Sequence, residues 1–213
     1  MDIKKCDSYD MVRGDMESIY NLKLADPESV REWRGLENRE IYINFEINDF
    51  LMSLCLEIIQ WNREDEKLNL PIEERIPIKI YVNSNGGEVP AVMNFIDVIN
   101  ASKTPIYTIG MGKCYSSGGL LLLSGHKRFI FPNTIFLLHD GYMGDFNSTG
   151  KALDRAKFTE KSEETLKDYI ISKTKITRKA YDEKYRQDWY MSANEMIELG
   201  IADEIVTDIT QIL

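Results

Sequence analysis

The stretch MGKCYSSGGLLLLSG, residues 111–125, constrains the fold of this chain more than any other. Two serines and two glycines stand directly against four leucines. A segment that apolar belongs in a core, so a polar hinge is held at the mouth of a buried helix. The preceding TPIYTIG (104–110) reads as a strand. A second hinge, VNSNGGEV (82–89), repeats the design. It ends the strand IPIKIYV (76–82) and opens the helix EVPAVMNFIDVINAS (88–102), where Pro90 is tolerated in the first turn. Helix N-termini leave backbone N–H groups unpaired and carry the positive end of the dipole. Glycine lets such backbone approach a ligand closely. Two hinges flanking one helix and one strand can aim their amides at one point, as a tetrahedral oxyanion requires.

The rest of the chain keeps the alternation. IYINF (41–45) reads as a strand, and NDFLMSLCLEIIQW (48–61) as a helix capped by Asn48 or Asp49. That helix puts Phe50, Leu51, Leu54, Cys55, Ile58 and Ile59 on one face. Residues 62–75 read as a charged loop. KRFIF (127–131) and TIFLLH (134–139) are strands about a Pro132–Asn133 turn, and residues 140–150 are irregular or edge strand. Residues 151–173 form a long polar helix, 177–185 another helix and 189–191 a short extended piece. Ser192, Glu195 and Gly200 bound a helix over 192–200, and 203–206 close the chain as a strand. Residues 1–38 are charged and weakly periodic, an N-terminal extension. The class is therefore α/β with mostly parallel pairing.

Composition narrows the function. With 43% hydrophobic residues in 213, the chain can build a sizeable core. It has no apolar run of eighteen, so no membrane span is expected, and its start lacks the apolar core of a secretory signal. A net charge of −9 argues against nucleic acid as a partner. Cys6, Cys55 and Cys114 are far apart, and there are two histidines, so neither a disulfide framework, a metal site nor a cofactor is expected. A reducing cytoplasm fits this cysteine usage.

A serine at a helix start is, taken alone, an N-cap whose hydroxyl bonds the N2 or N3 amide. A nucleophile needs a base and an orienting acid as well. His126 lies in a polar turn and reads as a surface residue. His139 ends an apolar strand, where parallel sheets handle ligands. Asp188 sits between a polar helix and a hydrophobic strand, the ordinary place of a turn residue. The nucleophile-elbow motif is absent, because Cys114 rather than glycine stands two before Ser116.

Five segments in order resemble the ClpP family, the proteolytic subunit of the ATP-dependent Clp protease. IKIYVNSNGGEV resembles its Ser-Pro-Gly-Gly turn, and TPIYTIGMGKCYSSGGLLLLSG its nucleophile strand, loop and helix. KRFIFPNTIFLLH resembles the strand pair ending in the catalytic histidine, and DWYMSANEMIELGIADEIV the segment opening with the triad acid. The helix after residue 150 resembles the handle that joins two rings. The resemblance runs from about Arg39 to Val206 and implies a crotonase-like spiral of ββα units, with the peptidase domain over 39–213 and its handle at about 140–173.

It also implies Ser116 as nucleophile, His139 as base and Asp188 as orienting acid, with the amides of Gly87 and Ser117 as oxyanion hole. Substrate, a peptide or unfolded protein, would add as a strand beside Gly86, Glu88, Asp140 and Gly141. The implied assembly is a homo-oligomer, a heptameric ring that can pair into a double ring, served by an AAA+ ATP-driven unfoldase. Alternative readings are a catalytically idle ring subunit with a structural or adaptor role, and a crotonase-fold enzyme acting on acyl-CoA. Three departures stand out. Asn85 replaces the usual proline, so the oxyanion turn needs another source of rigidity. Asp140 follows the histidine where Gln-Pro is usual. Arg186–Gln187 replaces an acid–arginine pair that links rings, which predicts a weakened double ring.

Overall fold

The computed structural model describes residues 26–141, 148–184 and 186–213. In chain order the elements are α1 (Pro27–Glu37), β1 (Glu40–Ile43), α2 (Leu51–Lys67), β2 (Ile78–Ser84), α3 (Val89–Ala101), β3 (Ile106–Tyr115), α4 (Ser117–Ser124), β4 (Lys127–Ile130), β5 (Ile135–Leu138), α5 (Thr149–Lys173), α6 (Arg178–Lys184), β6 (Trp189–Met191), α7 (Ala193–Glu198) and β7 (Glu204–Ile205). The sheet runs β1-β2-β3-β4-β7, all parallel, and β5 leaves this path to pair with β3 and antiparallel with β6. Strands β1 and β2 alternate buried with less buried residues, so one face of the sheet carries the main core and the other only a small cluster around Ile109 and Phe129.

The core lies between the sheet and α2, α3 and α4. Leu120, Leu121, Leu122 and Leu123 are all buried, as are Phe95 and Phe136. Gly119 allows this packing: a β-carbon there would lie 2.9 Å from the Phe136 ring. Thus the four leucines hold α4 rigidly, and its N-terminus with it.

Several boundaries differ from the sequence expectation. Residues 62–67, read as loop, continue α2, because Asp65 is buried against Arg39 (2.7 Å) and Thr104 (2.7 Å) instead of facing water. The buried face of α2 is Leu51, Leu54, Cys55, Ile58, Trp61 and Asp65, whereas Phe50 and Ile59 are exposed. Phe50 is the N-cap residue, and Asn48 assists by accepting the Phe50 N–H through Oδ1 (2.9 Å). Strand β3 runs on through residues 111–115, which had read as loop. Residues 26–38 of the extension contain α1, capped by Asp26. Part of 140–150, part of 177–185 and Cys6 lie outside the described residues. No helix among the described residues is long and apolar enough to cross a membrane.

Candidate active site

Strand β3 changes neighbour along its length, and that change delivers the first hinge. Up to Gly110 it pairs with β4, and from Lys113 it pairs with β5. Between Val82 and Ser84, β2 advances two residues while β3 advances from Gly110 to Cys114. The bulge turns on Gly112 at φ +78°, and Asn83 Oδ1 accepts the Lys113 N–H there (3.1 Å). Beyond it Cys114 is fully buried, which pushes its thiol up to about 12, so it stays a protonated, inert part of the core.

Ser116 follows at φ 53°, ψ −125°, with its N–H donating to Leu137 O (2.9 Å). The residue occupies the N-cap position of α4, yet its hydroxyl makes no capping bond. The ordinary use of a serine at this position is therefore not realised. Ser117 is buried, and its Oγ donates to Gly87 O (2.9 Å), so the second serine ties the two hinges together.

Gly86 and Gly87 stand at φ +102° and +145°. Neither tolerates a side chain. A β-carbon on Gly86 would lie 2.7 Å from Ser116 Cβ and 3.1 Å from Ser117 N, and one on Gly87 would lie 2.1 Å from Ile47 O. The two hinges are in direct contact. Ile47 backs the turn: its N–H donates to Gly86 O (2.8 Å) and its carbonyl accepts the Glu88 N–H (2.9 Å). Consequently the Glu88 amide is already engaged by Ile47 O.

The other two candidate residues lie at the ends of β5 and β6. Tyr115 is paired with Leu137 on β5, and Leu138 on β5 with Trp189 on β6. Both registers stop one residue short of Ser116, His139 and Asp188, so Ser116 and His139 directly follow the ends of β3 and β5, and Asp188 directly precedes the start of β6. Tyr115 and Tyr190 meet edge to face, 6.0 Å apart, where β3 passes β6. His139 is half-buried and Asp188 exposed. Among the described residues no side-chain hydrogen bond joins Ser116 to His139 or His139 to Asp188; such contacts commonly tighten only with substrate bound. His139 and Asp140 line a small depression with Arg186, Gln187 and Trp189. Gly141 is exposed, with open space on its side-chain face.

His126 has a different task. It is exposed, as expected, but its Nδ1 accepts the Ile106 N–H (3.0 Å), which fixes the start of β3. Among the described residues no group of three or more His, Cys, Asp or Glu side chains could hold a metal ion. Sequence reasoning missed Asn83, Ser84 and Ile47, which support the hinges from behind; the only signal for them was their place at strand ends beside glycine.

Comparison with known proteins gives the family. Residues 34–208 match the Clp protease family. The chain is 33% identical over 184 residues to the ATP-dependent Clp protease proteolytic subunit 2 of Treponema pallidum (strain Nichols), covering 84% of this chain and 87% of that protein. It is 30% identical over 178 residues to the protein of the same description from Tropheryma whipplei (strain Twist), covering 82% and 94%. The ATP-dependent Clp protease proteolytic subunit of Deinococcus radiodurans is 30% identical over 131 residues, 61% of this chain and 64% of that protein.

Proposed function

This chain belongs to the Clp protease family, and from that premise we propose that it is a serine endopeptidase cleaving unfolded polypeptides inside an oligomeric chamber. Ser116 Oγ attacks the peptide carbonyl carbon while His139 takes its proton. The oxygen becomes an oxyanion held by the Gly87 and Ser117 amides. Collapse of this intermediate expels the amine, which receives the proton from His139, and leaves an acyl ester on Ser116. Water then attacks the ester by the same route. Asp188 holds the imidazole tautomer and stabilises the imidazolium.

The observation that carries this reading is Ser116 itself: a serine at φ 53°, held at a buried helix start, whose hydroxyl is not used as a cap. Strained backbone of this kind persists only where the surroundings enforce it, and it clusters at active sites. Because the relatives are subunits of ATP-dependent proteases, an ATP-driven unfoldase is the proposed partner and a homo-oligomeric ring the proposed assembly. Fluorophosphonate labelling of the native protein, followed by mapping of the modified residue, tests it. The expected product is a single adduct on Ser116, lost in Ser116→Ala and in His139→Ala but kept in His126→Ala. An adduct on Ser117 would overturn the assignment. An intact ring that takes no label would favour the idle subunit.

A further inference from the structure

We infer that Ser84 is a positioning residue for the oxyanion turn, its buried hydroxyl holding the two glycines that follow Asn85. The inference rests on the reading of Ser116 as nucleophile. Asn85 is exposed, and among the described residues its side chain makes no hydrogen bond, so it does not hold the turn in proline's place. Ser84, by contrast, is 2% exposed and its hydroxyl is used twice. Oγ accepts the Gly86 N–H (3.1 Å) and donates to Phe45 O (2.6 Å). A serine hydroxyl closing onto the amide two residues on is a side-chain-built turn.

The same segment that Ser84 holds through Phe45 also holds Gly86 from its other side, since Ile47 N–H donates to Gly86 O (2.8 Å). Both backbone polar groups of Gly86 are thus tied to residues 45–47, one directly and one through Ser84. Ser84 also touches the other hinge. A β-carbon on Gly118 would lie 3.0 Å from Ser84 O and 3.2 Å from Ser84 Cβ, so Ser84 is wedged between the oxyanion turn and the first turn of α4.

Two consecutive glycines at positive φ reach this shape easily and leave it as easily. Without the hydroxyl, the Gly86 N–H and the Phe45 carbonyl lose their partner, and the direction of the Gly87 N–H becomes a distribution. The hydrogen bonds of the Ser84 hydroxyl go to Phe45 and Gly86 and not to Ser116, His139 or Asp188, so the loss is expected on oxyanion stabilisation more than on proton transfer.

The test measures the second-order rate of fluorophosphonate labelling across a pH series, well below the thermal midpoint and corrected for folded fraction. Removing an oxyanion donor outright costs roughly 100- to 1,000-fold, and mis-aiming one costs less. Ser84→Ala is expected to lower the plateau rate roughly 10- to 100-fold while leaving the pH midpoint where it is. Ser84→Cys keeps the shape but bonds weakly, and its rate should fall between the two. A purely structural role would lower the melting temperature and leave the corrected rate unchanged, which would overturn the inference. If Ser84→Ala does not fold, a Ser84→Cys rate equal to that of the parent overturns it equally. A parent protein not labelled at Ser116 would instead overturn the functional reading beneath it.

Discussion

Ser116 occupies a backbone conformation that costs on the order of 1–3 kcal/mol, and the buried leucines of α4 offset that cost. The next serine has a separate job. Ser117→Ala keeps the amide proposed to bind the oxyanion, but it removes the 2.9 Å bond to Gly87 O. The expected result is a loss of labelling rate of about tenfold, with about 0.5–1.5 kcal/mol of stability. Ser116→Ala should abolish labelling at unchanged stability. Gly87→Ala is expected to be worse than either, because its β-carbon would meet Ile47 O at 2.1 Å. A Gly87→Ala protein labelled at the parent rate would show that the turn has no part in the chemistry. At this scale the sequence pattern placed two serines at the start of a buried helix, and only the family resemblance chose Ser116 between them. The pattern was silent on Ser84, because a hydroxyl that closes a turn looks the same in sequence as one facing water.

Helix α2 shows where pattern reading runs out. Residues 62–67 are strongly charged, and charge reads as solvent, yet Asp65 is 1% exposed. Burial alone would raise its carboxyl, but the Arg39 and Thr104 hydrogen bonds outweigh burial and hold it below the ordinary carboxylate range. Arg39 precedes it by twenty-six residues and Thr104 follows by thirty-nine, distances that no local window connects. Asp65→Ala strands the Arg39 guanidinium and should cost about 3–5 kcal/mol in denaturant unfolding; a loss under 1 kcal/mol would show that the pair is incidental.

Strand β3 carries a second element-scale prediction. The His126 side chain reaches the surface, but its inner edge is covered where Nδ1 meets the Ile106 N–H, and that partial desolvation, with the Lys173 charge, holds the imidazole below its ordinary value near 6.5. A histidine whose folded value is depressed contributes stability above its unfolded value and loses it as pH falls below that. His126→Asn keeps an acceptor for the Ile106 N–H but cannot titrate. Its thermal midpoint should therefore fall less than the parent's between pH 7.5 and 5.5. Parallel curves for the two proteins would remove His126 from the acid response.

The molecule as a whole carries apolar side chains on two helices that its own fold leaves uncovered. On α2 the core face is Leu51, Leu54, Cys55, Ile58 and Trp61, while Met52, Leu56 and Ile59 recur at i, i+4 and i+7 on the opposite side and are 52%, 55% and 42% exposed. On α5, a helix of 25 residues with only Ile170 buried, Leu153 and Phe158 are 59% and 70% exposed. A single chain has no use for the α2 stripe, and contiguous exposed apolar faces mark interaction sites; Leu153 and Phe158 are two separate exposed side chains, five residues apart on α5. In the ring assembly proposed above, the separation of the stripe and these side chains on different elements would suit two different contacts: neighbour to neighbour within a ring through α2, and ring to ring through α5. Fully burying one such side chain is worth about 1.5–3 kcal/mol, and a ring repeats that gain at every interface. A charge placed in the α2 stripe should therefore act on ring closure, and one on α5 only on pairing. By native mass spectrometry Leu56→Glu should yield monomers with an unchanged circular dichroism spectrum, whereas Phe158→Glu should yield intact single rings. By the family resemblance Arg186 and Gln187 stand where an acid–arginine pair would link rings, so in the proposed double ring pairing would have less ionic support, and apolar contacts on α5 would become the larger share of what remains. Since apolar contacts are not screened by salt, whatever double ring forms should persist as ionic strength rises. A double ring that falls apart in salt, or a Phe158→Glu protein that still pairs, would place the ring-to-ring contact elsewhere on the molecule.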